Sequence, residues 1–329
     1  MTAETEAATV TDANSKAVVT RARERHLKVL KRWLRVAITL AVVALGLILN
    51  PLYQRHFDRS ILLEANSGAV EVTLSEEVGG KSFENAALCQ RRDRPDFNAT
   101  GGEYGCLGSM FEVVRPEGPF VLSFPAGTRL KFESRPGRLD IAIASLPESA
   151  KGTPLAKLES GRIILEGDGL SSFGHFLGRG TLRIGAPFGN VDEVPLIDAN
   201  YQVNAKSVIS ILSLRGGPTV VQDGRIQSGA ILTFTAANPP RDAESDADHL
   251  VPARVNIAIP DPEETGLMRV SALSDYTTVD LLVDHFLAEP ILIRPSLIGA
   301  VANDPVLILM AFLVGGLIGF FQWVWPKEG

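Results

Sequence analysis

Two long apolar runs bracket this chain, and they constrain its fold more than any other feature of the sequence. The second run, residues 306–325, is an unbroken series of apolar or near-apolar residues. A helix of about 20 such residues crosses the hydrocarbon core of a bilayer. The first run, residues 36–49, lies near the other end of the chain. We therefore predict two transmembrane helices with a large region between them.

The charges beside the first run predict its orientation. Eight Lys and Arg residues fall within residues 16–35, directly before that run. Clustered basic residues next to a membrane helix are retained in the cytoplasm. A cleaved signal peptide is the alternative, but the basic leader is long for one and no small-x-small cleavage site follows the run. An uncleaved anchor with a cytoplasmic N-terminus is the favoured interpretation.

This orientation predicts a bacterial inner-membrane protein with both termini in the cytoplasm and a large periplasmic domain. The segment before residue 17 is small and polar and is expected to be disordered. The predicted organisation is a disordered tail, a basic juxtamembrane helix, transmembrane helix 1, an extracytoplasmic β-rich region, transmembrane helix 2 and a short tail, at residues 1–16, 17–35, 36–52, 53–303, 304–325 and 326–329.

The region between the two runs is acidic, with 23 basic and 33 acidic residues. A protein that binds nucleic acid needs a positively charged surface to meet the phosphates. No nucleic acid is therefore expected among the partners. The expected partners are the membrane and another envelope protein or a second copy of this chain.

The only two cysteines, Cys89 and Cys106, both lie in the region assigned to the periplasm. An even number of cysteines in an oxidising compartment predicts a disulfide. There is no C-x-x-C spacing of the kind that redox-active pairs use. We predict one structural disulfide that closes a loop.

Short segments of alternating apolar and polar residues fill the outer region, separated by Gly, Pro, Asp and Ser. This pattern is typical of antiparallel sheets with one wet face. The predicted fold is mainly β, an antiparallel β-sandwich or jelly-roll-like region flanked by the two transmembrane α-helices. The predicted strands include residues 69–74, 119–124, 128–134, 138–146, 162–167, 208–214, 230–236 and 254–259.

One segment, residues 276–290, predicts a helix instead, although a strand is the alternative. Val279, Leu282, Val283 and Phe286 fall at helical spacing, and Pro290 would end the element.

The outer region is either one domain or two. A seam is expected near residues 146–157 or 238–252 if there are two. Three similar segments place Gly127, Gly180 and Gly229 before alternating residues. This similarity indicates either related β units or ordinary hairpin turns.

Candidate catalytic and metal-binding residues are sparse. His175 follows Ser171 and Ser172, but no G-x-S-x-G stretch accompanies them. The acidic stretches 242–249 and 261–265 lack the spacing of a calcium loop. Neither a cofactor nor a metal is predicted, and the protein is not expected to be an enzyme.

Two other features suggest contacts with partners. Arg91, Arg92 and Arg94 lie between the two cysteines, so a constrained, charged loop is a candidate partner-binding site. In the second apolar run Gly315 and Gly319 form a G-x-x-x-G pair with Gly316 beside them. Small residues let membrane helices approach closely, so this face predicts helix packing.

These features favour a scaffold or assembly subunit whose periplasmic β domain binds another envelope component. A periplasmic protein that senses a small ligand or a glycan is the first alternative. An envelope hydrolase or glycan-modifying enzyme is the second.

Overall fold

The computed structural model describes a β-rich region that is interrupted by several gaps. Contacts divide the chain into two units, residues 1–53 and 54–329. All of the strands belong to the second unit. The described residues are 58–99, 102–186, 195–206, 218–237, 249–260, 266–285 and 288–295, with the single positions 33, 37, 40, 44, 48, 299 and 312.

Within these residues the second unit consists of strands, with only short helical turns. The strands are β1 (Arg59–Ser67), β2 (Ala69–Leu74), β3 (Val78–Phe83), β4 (Ala87–Arg91), β5 (Phe111–Val114), β6 (Phe120–Phe124), β7 (Arg129–Arg135), β8 (Arg138–Ser145), β9 (Arg162–Glu166), β10 (His175–Ile184), β11 (Leu196–Lys206), β12 (Pro218–Ile226), β13 (Ala230–Ala236), β14 (Ala253–Ala258), β15 (Met268–Ser274), β16 (Val279–His285) and β17 (Ile291–Ile293). One short α-helix, α1, spans Asp168–Ser171, and 3-10 turns cover Glu103–Gly105, Glu148–Ala150 and Pro154–Leu158.

Fifteen strands form a single sheet in which every described pairing is antiparallel. Its main path runs β12-β11-β1-β15-β14-β10-β2-β7-β8-β9-β4-β5, and β13, β16 and β17 branch from β10. The strands β8 and β9, on either side of residues 146–157, pair directly with each other. Because every described strand pairing is antiparallel, the predicted mainly β, antiparallel fold class is confirmed.

The long strand β10 is the point where the sheet divides. One edge of β10 pairs with β14 over its first half and with β13 over Arg183 and Ile184. Two branches therefore leave the same edge, one through β14 to β1 and the other through β13 to β16. They meet again at Arg59, whose backbone exchanges hydrogen bonds of 2.8 and 3.0 Å with Thr277. The buried apolar faces of β1 and β16 contribute to the core next to this contact.

A chain of aromatic rings attaches a second, two-stranded sheet of β3 and β6 to the main sheet. Phe83 stacks on Phe120 with 5.4 Å between ring centroids. Phe124 contacts Phe176 of β10 edge-on at 6.3 Å, and Phe176 contacts Phe132 of β7 at 4.9 Å. Such ring pairs add to the stability that area burial supplies. The small two-stranded sheet thus packs its rings against those of β7 and β10.

The predicted strands mostly agree with the observed ones, and two of them, β2 and β13, agree to the residue. The predicted strand at 208–214 lies outside the described residues. The predicted helix over residues 276–290 is wrong, because residues 279–285 form strand β16 between β13 and β17. The helical spacing depended on Leu282, an apolar residue on the outward face of the strand. Because of it, apolar and polar residues do not alternate regularly along this segment.

The three glycines of the similar segments have different structural roles. Gly127 and Gly229 have φ of 86° and 85° and form turns before β7 and β13. Gly180 instead lies inside β10, where a Cβ atom would be 2.1 Å from the carbonyl oxygen of Thr73. The close approach of β2 requires glycine there. These different roles favour ordinary hairpin and packing constraints over a repeated unit.

Among the described positions, no helix is both long and apolar enough to cross a bilayer. The predicted transmembrane helices at 36–52 and 304–325 fall almost wholly outside the described residues. Single described positions within them, including Leu40, Ile48 and Phe312, are helical. The predicted tails at 1–16 and 326–329 are outside the described part as well.

Candidate functional site

A disulfide-closed loop after β4 is the first candidate site. Cys89 and Cys106 are bonded, with their Cα atoms 6.1 Å apart, so the predicted disulfide is confirmed. Both half-cystines are buried in a small apolar cluster with Ala87 and Ile164. The rings of Tyr104 and Phe111 pack against this cluster. The loop therefore has a core of its own at the edge of the sheet, where β5 is the last strand.

Two arginines outside the loop fix its base. Arg138 of β8 donates a 3.1 Å hydrogen bond to the carbonyl oxygen of Tyr104 and forms a bidentate ion pair with Asp140 at 2.6 and 2.9 Å. Arg115 donates to the Tyr104 hydroxyl at 3.0 Å and to Glu103 at 3.2 Å. The hydrogen bond to Tyr104 and the charges of Tyr104 and Glu103 raise the pKa of Arg115. The loop is thus tied to β8 and to the chain after β5.

The three loop arginines predicted to bind a partner have different surroundings. Arg92 is half-buried, and its Nε donates to the carbonyl oxygens of Gly108 and Phe111 at 3.0 and 3.1 Å, so it holds the loop together. Arg91 and Arg94 are exposed, and within the described part of the chain neither has an ion-pair or hydrogen-bonding partner for its side chain. Only these two arginines are available to another molecule.

Apolar side chains that sequence reasoning missed lie on the same loop. Phe97 is 83% exposed, Leu107 is 69% exposed and Met110 is also exposed. Arginine and aromatic side chains are enriched at protein interfaces, where a few of them carry most of the binding energy. We call Arg91, Arg94, Phe97, Leu107 and Met110 the loop surface. The signal in the sequence was the apolar residues between the two cysteines and just after them.

A buried carboxylate joins the two ends of the strand-rich part of the second unit, from β1 to β17, which we call the β unit. Arg59, at the start of β1, donates to Asp280 of β16 through Nη2, and these side chains are 1% and 0% exposed. Arg294, just after β17, donates to the other carboxylate oxygen at 2.7 Å. One acidic side chain thus binds a guanidinium from the entry and from the exit of the β unit.

A groove of about 650 Å³ lies on the outward face of strands β2, β10, β13 and β16, which we together call the branch sheet. Its floor is formed by the outward side chains of β2, β10, β13 and β16. Its polar lining residues on these strands are Glu71, Thr73, Thr181, Arg183, Thr233, Thr235 and Asp284. Apolar contact is available from Ile231, Leu282 and Leu292. The sequence did not predict this groove, because its residues come from strands that are distant along the chain.

The serines near His175 do not form a nucleophile and base pair with it. The Ser171 and Ser172 hydroxyls donate to the carbonyl oxygens of Gly167 and Gly169, at 3.4 and 3.0 Å. The Nδ1 atom of His175 lies 3.0 Å from the amide oxygen of Asn256. All three side chains thus have local partners.

No group of three or more potential metal ligands occurs among the residues that the structure describes. The acidic stretch 261–265 and most of 242–249 lie outside those residues. The same is true of Gly315, Gly316 and Gly319, so their predicted packing role stays a prediction.

Comparisons with known proteins add no relative to this description. No family model matches the chain, and neither a curated protein nor a solved structure matches it.

Proposed function

We propose that this protein is a non-enzymatic, two-pass inner-membrane protein of the bacterial envelope. In this proposal a sandwich-like periplasmic β unit stands between two transmembrane helices and uses its loop surface to bind another envelope protein. The protein serves as a scaffold or assembly subunit. The observation that carries the proposal is the exposure of Phe97 and Leu107, within and just after the disulfide-closed loop, together with two exposed arginines that have no side-chain partner among the described residues.

The closeness of the two ends of the β unit and the exposure of apolar residues outside it support the two membrane anchors of the proposal. Arg59 and Arg294 bind opposite oxygens of the same Asp280 carboxylate. The entry and the exit of the β unit are therefore neighbours. The helical residues Leu40, Ile48 and Phe312 are 63%, 61% and 75% exposed. Exposed apolar side chains on a helix are unfavourable in water and favourable in lipid.

The loop surface has the properties of a binding site for a protein. Its base is restrained by the disulfide and by the contacts of Tyr104, so little conformational entropy is lost when a partner binds. The loop surface offers an aromatic ring, two other apolar side chains and two guanidinium groups. Arginine next to exposed apolar surface favours a partner with an apolar pocket rimmed by carboxylates.

A photo-crosslinking experiment tests this assignment. We expect a benzoylphenylalanine residue at position 97 or 107, in cells that make the full chain, to give one discrete crosslinked species. The double substitution Arg91→Glu and Arg94→Glu should reduce its yield about tenfold or more, because negative charges would then face the acidic rim and be repelled by it. The mass of the species distinguishes a second copy of this 35.4 kDa chain from a different protein.

Val121 provides the matched control position. It is an apolar residue of β6 that is 62% exposed, and it lies outside the loop surface. The crosslinker at position 121 should give no such species. Equal crosslinking from positions 97 and 121, or a yield unchanged by the two glutamates, would contradict the assignment of the loop surface.

The second membrane helix is proposed to pack against a neighbouring helix through Gly315 and Gly319. Replacing both residues with Leu keeps the segment apolar and able to insert, but adds bulk where a neighbour would approach. We expect membrane insertion to persist while disulfide crosslinks from cysteines placed along the helix disappear. Crosslinks of unchanged yield would leave the helix as a simple anchor.

A further inference from the structure

The groove on the branch sheet is lined by side-chain hydroxyls that form no hydrogen bond within the described residues. Thr73, Thr181, Thr233 and Thr235 line it and are half-buried. Within the described residues, none of their hydroxyls has a hydrogen-bond partner. A threonine hydroxyl can both donate and accept. The groove thus offers four donor–acceptor groups to a ligand.

Two charged side chains and one histidine ring nitrogen in the groove also lack partners in the described part of the protein. Arg183 is exposed, Asp284 is half-buried, and neither forms an ion pair there. The Nδ1 atom of His249, at the rim, is buried with no hydrogen-bond partner. The other charges of the lining are already used, since Arg129 pairs with Glu71 and Arg294 with Asp280.

The sheet pairing restricts which ligand can use these groups. The four strands of the floor, β2, β10, β13 and β16, each have a paired neighbour on both sides. At the paired positions their backbone groups are unavailable for an added peptide strand, which is the usual way in which an extended peptide binds a sheet. These positions number two between β13 and β10 and three between β16 and β17. The floor strands present seven polar side chains to the groove, and four of these are threonines.

We propose that this groove binds an oligosaccharide. Saccharide hydroxyls are donors and acceptors at close spacing, so they match the threonine hydroxyls. Arg183 supplies a donor and Asp284 an acceptor to the same ligand. Ile231, Leu282 and Leu292 provide apolar contact for the C–H faces of the sugar rings. The volume of about 650 Å³ lies within the range of ligand pockets, about 300–1,000 Å³.

Calorimetric titration of the full chain in detergent tests the proposal. The probes are chitotetraose, maltotetraose and cellotetraose, with tetra-alanine as a zwitterion that has charges but no hydroxyl groups. We expect at least one saccharide to bind with a Kd below about 1 mM, and tetra-alanine not to bind. The double substitution Thr181→Val and Thr233→Val should weaken saccharide binding about tenfold, because two hydrogen bonds are lost without a change in shape.

Thr219→Val is the matched control, since Thr219 lies on β12 and does not line the groove. It should leave the saccharide affinity unchanged, and so should Phe97→Asp, which makes this result independent of the loop surface. The proposal is overturned if none of the three saccharides binds, if tetra-alanine alone binds, or if the two valines leave the affinity unchanged.

Discussion

Replacing Asp280 with Asn is expected to lower the free energy of unfolding by about 3–5 kcal/mol. The substitution keeps the shape of the side chain but removes the negative charge between Arg59 and Arg294. The Arg59 guanidinium is 1% exposed, so it would remain buried without an opposite charge. An unpaired buried charge costs much more than a lost surface ion pair. Thermal unfolding of the full chain in detergent, followed by far-ultraviolet circular dichroism, measures the loss.

Three further variants separate charge from packing. Glu148→Gln removes an exposed ion pair with Lys151 and should leave the unfolding temperature almost unchanged. The double variant Arg59→Met and Asp280→Leu should recover much of the stability lost in Asp280→Leu alone, because no charge remains buried without a partner. If Asp280→Asn is as stable as the Glu148→Gln control, the carboxylate does not hold the two ends of the β unit together.

The sequence predicted strands well where burial alternates with every residue. The segments 69–74 and 230–236 alternate or are bounded by clear turn residues, and both were predicted to the residue. In β16 the apolar Leu282 faces outward, so the same run fits helical spacing equally well. The pairing of Val283 with Leu232 and with Ile291 decides for a strand, and pairing partners cannot be read from a local pattern.

The candidate sites depended even more on long-range contacts. The disulfide could be predicted because the chain has only two cysteines. The ion pair of Arg59 with Asp280 joins residues 221 positions apart, and nothing near either residue indicates the other. The groove likewise needs the register that places Arg183 opposite both Glu71 and Thr233. Such sites arise from topology, which the sequence pattern left undetermined.

Removal of the disulfide by Cys89→Ala and Cys106→Ala is expected to destabilise the loop by about 3 kcal/mol, the value for closing a loop of this length. Alanine is preferred to serine because both half-cystines are buried, and a hydroxyl without a partner there would add its own cost. The effect should be local, since the loop lies at the edge strand β5 and has its own small apolar cluster.

Trypsin cleavage after Arg91 and Arg92 measures this opening directly, because both bonds lie inside the loop. We expect cleavage there to accelerate in the variant while cleavage after Lys151, an exposed site outside the loop, keeps its rate. Equal acceleration at both sites would mean that the disulfide stabilises the whole β unit, and no acceleration at Arg91 would mean that the contacts of Arg92 and Arg138 suffice to hold the loop surface without it.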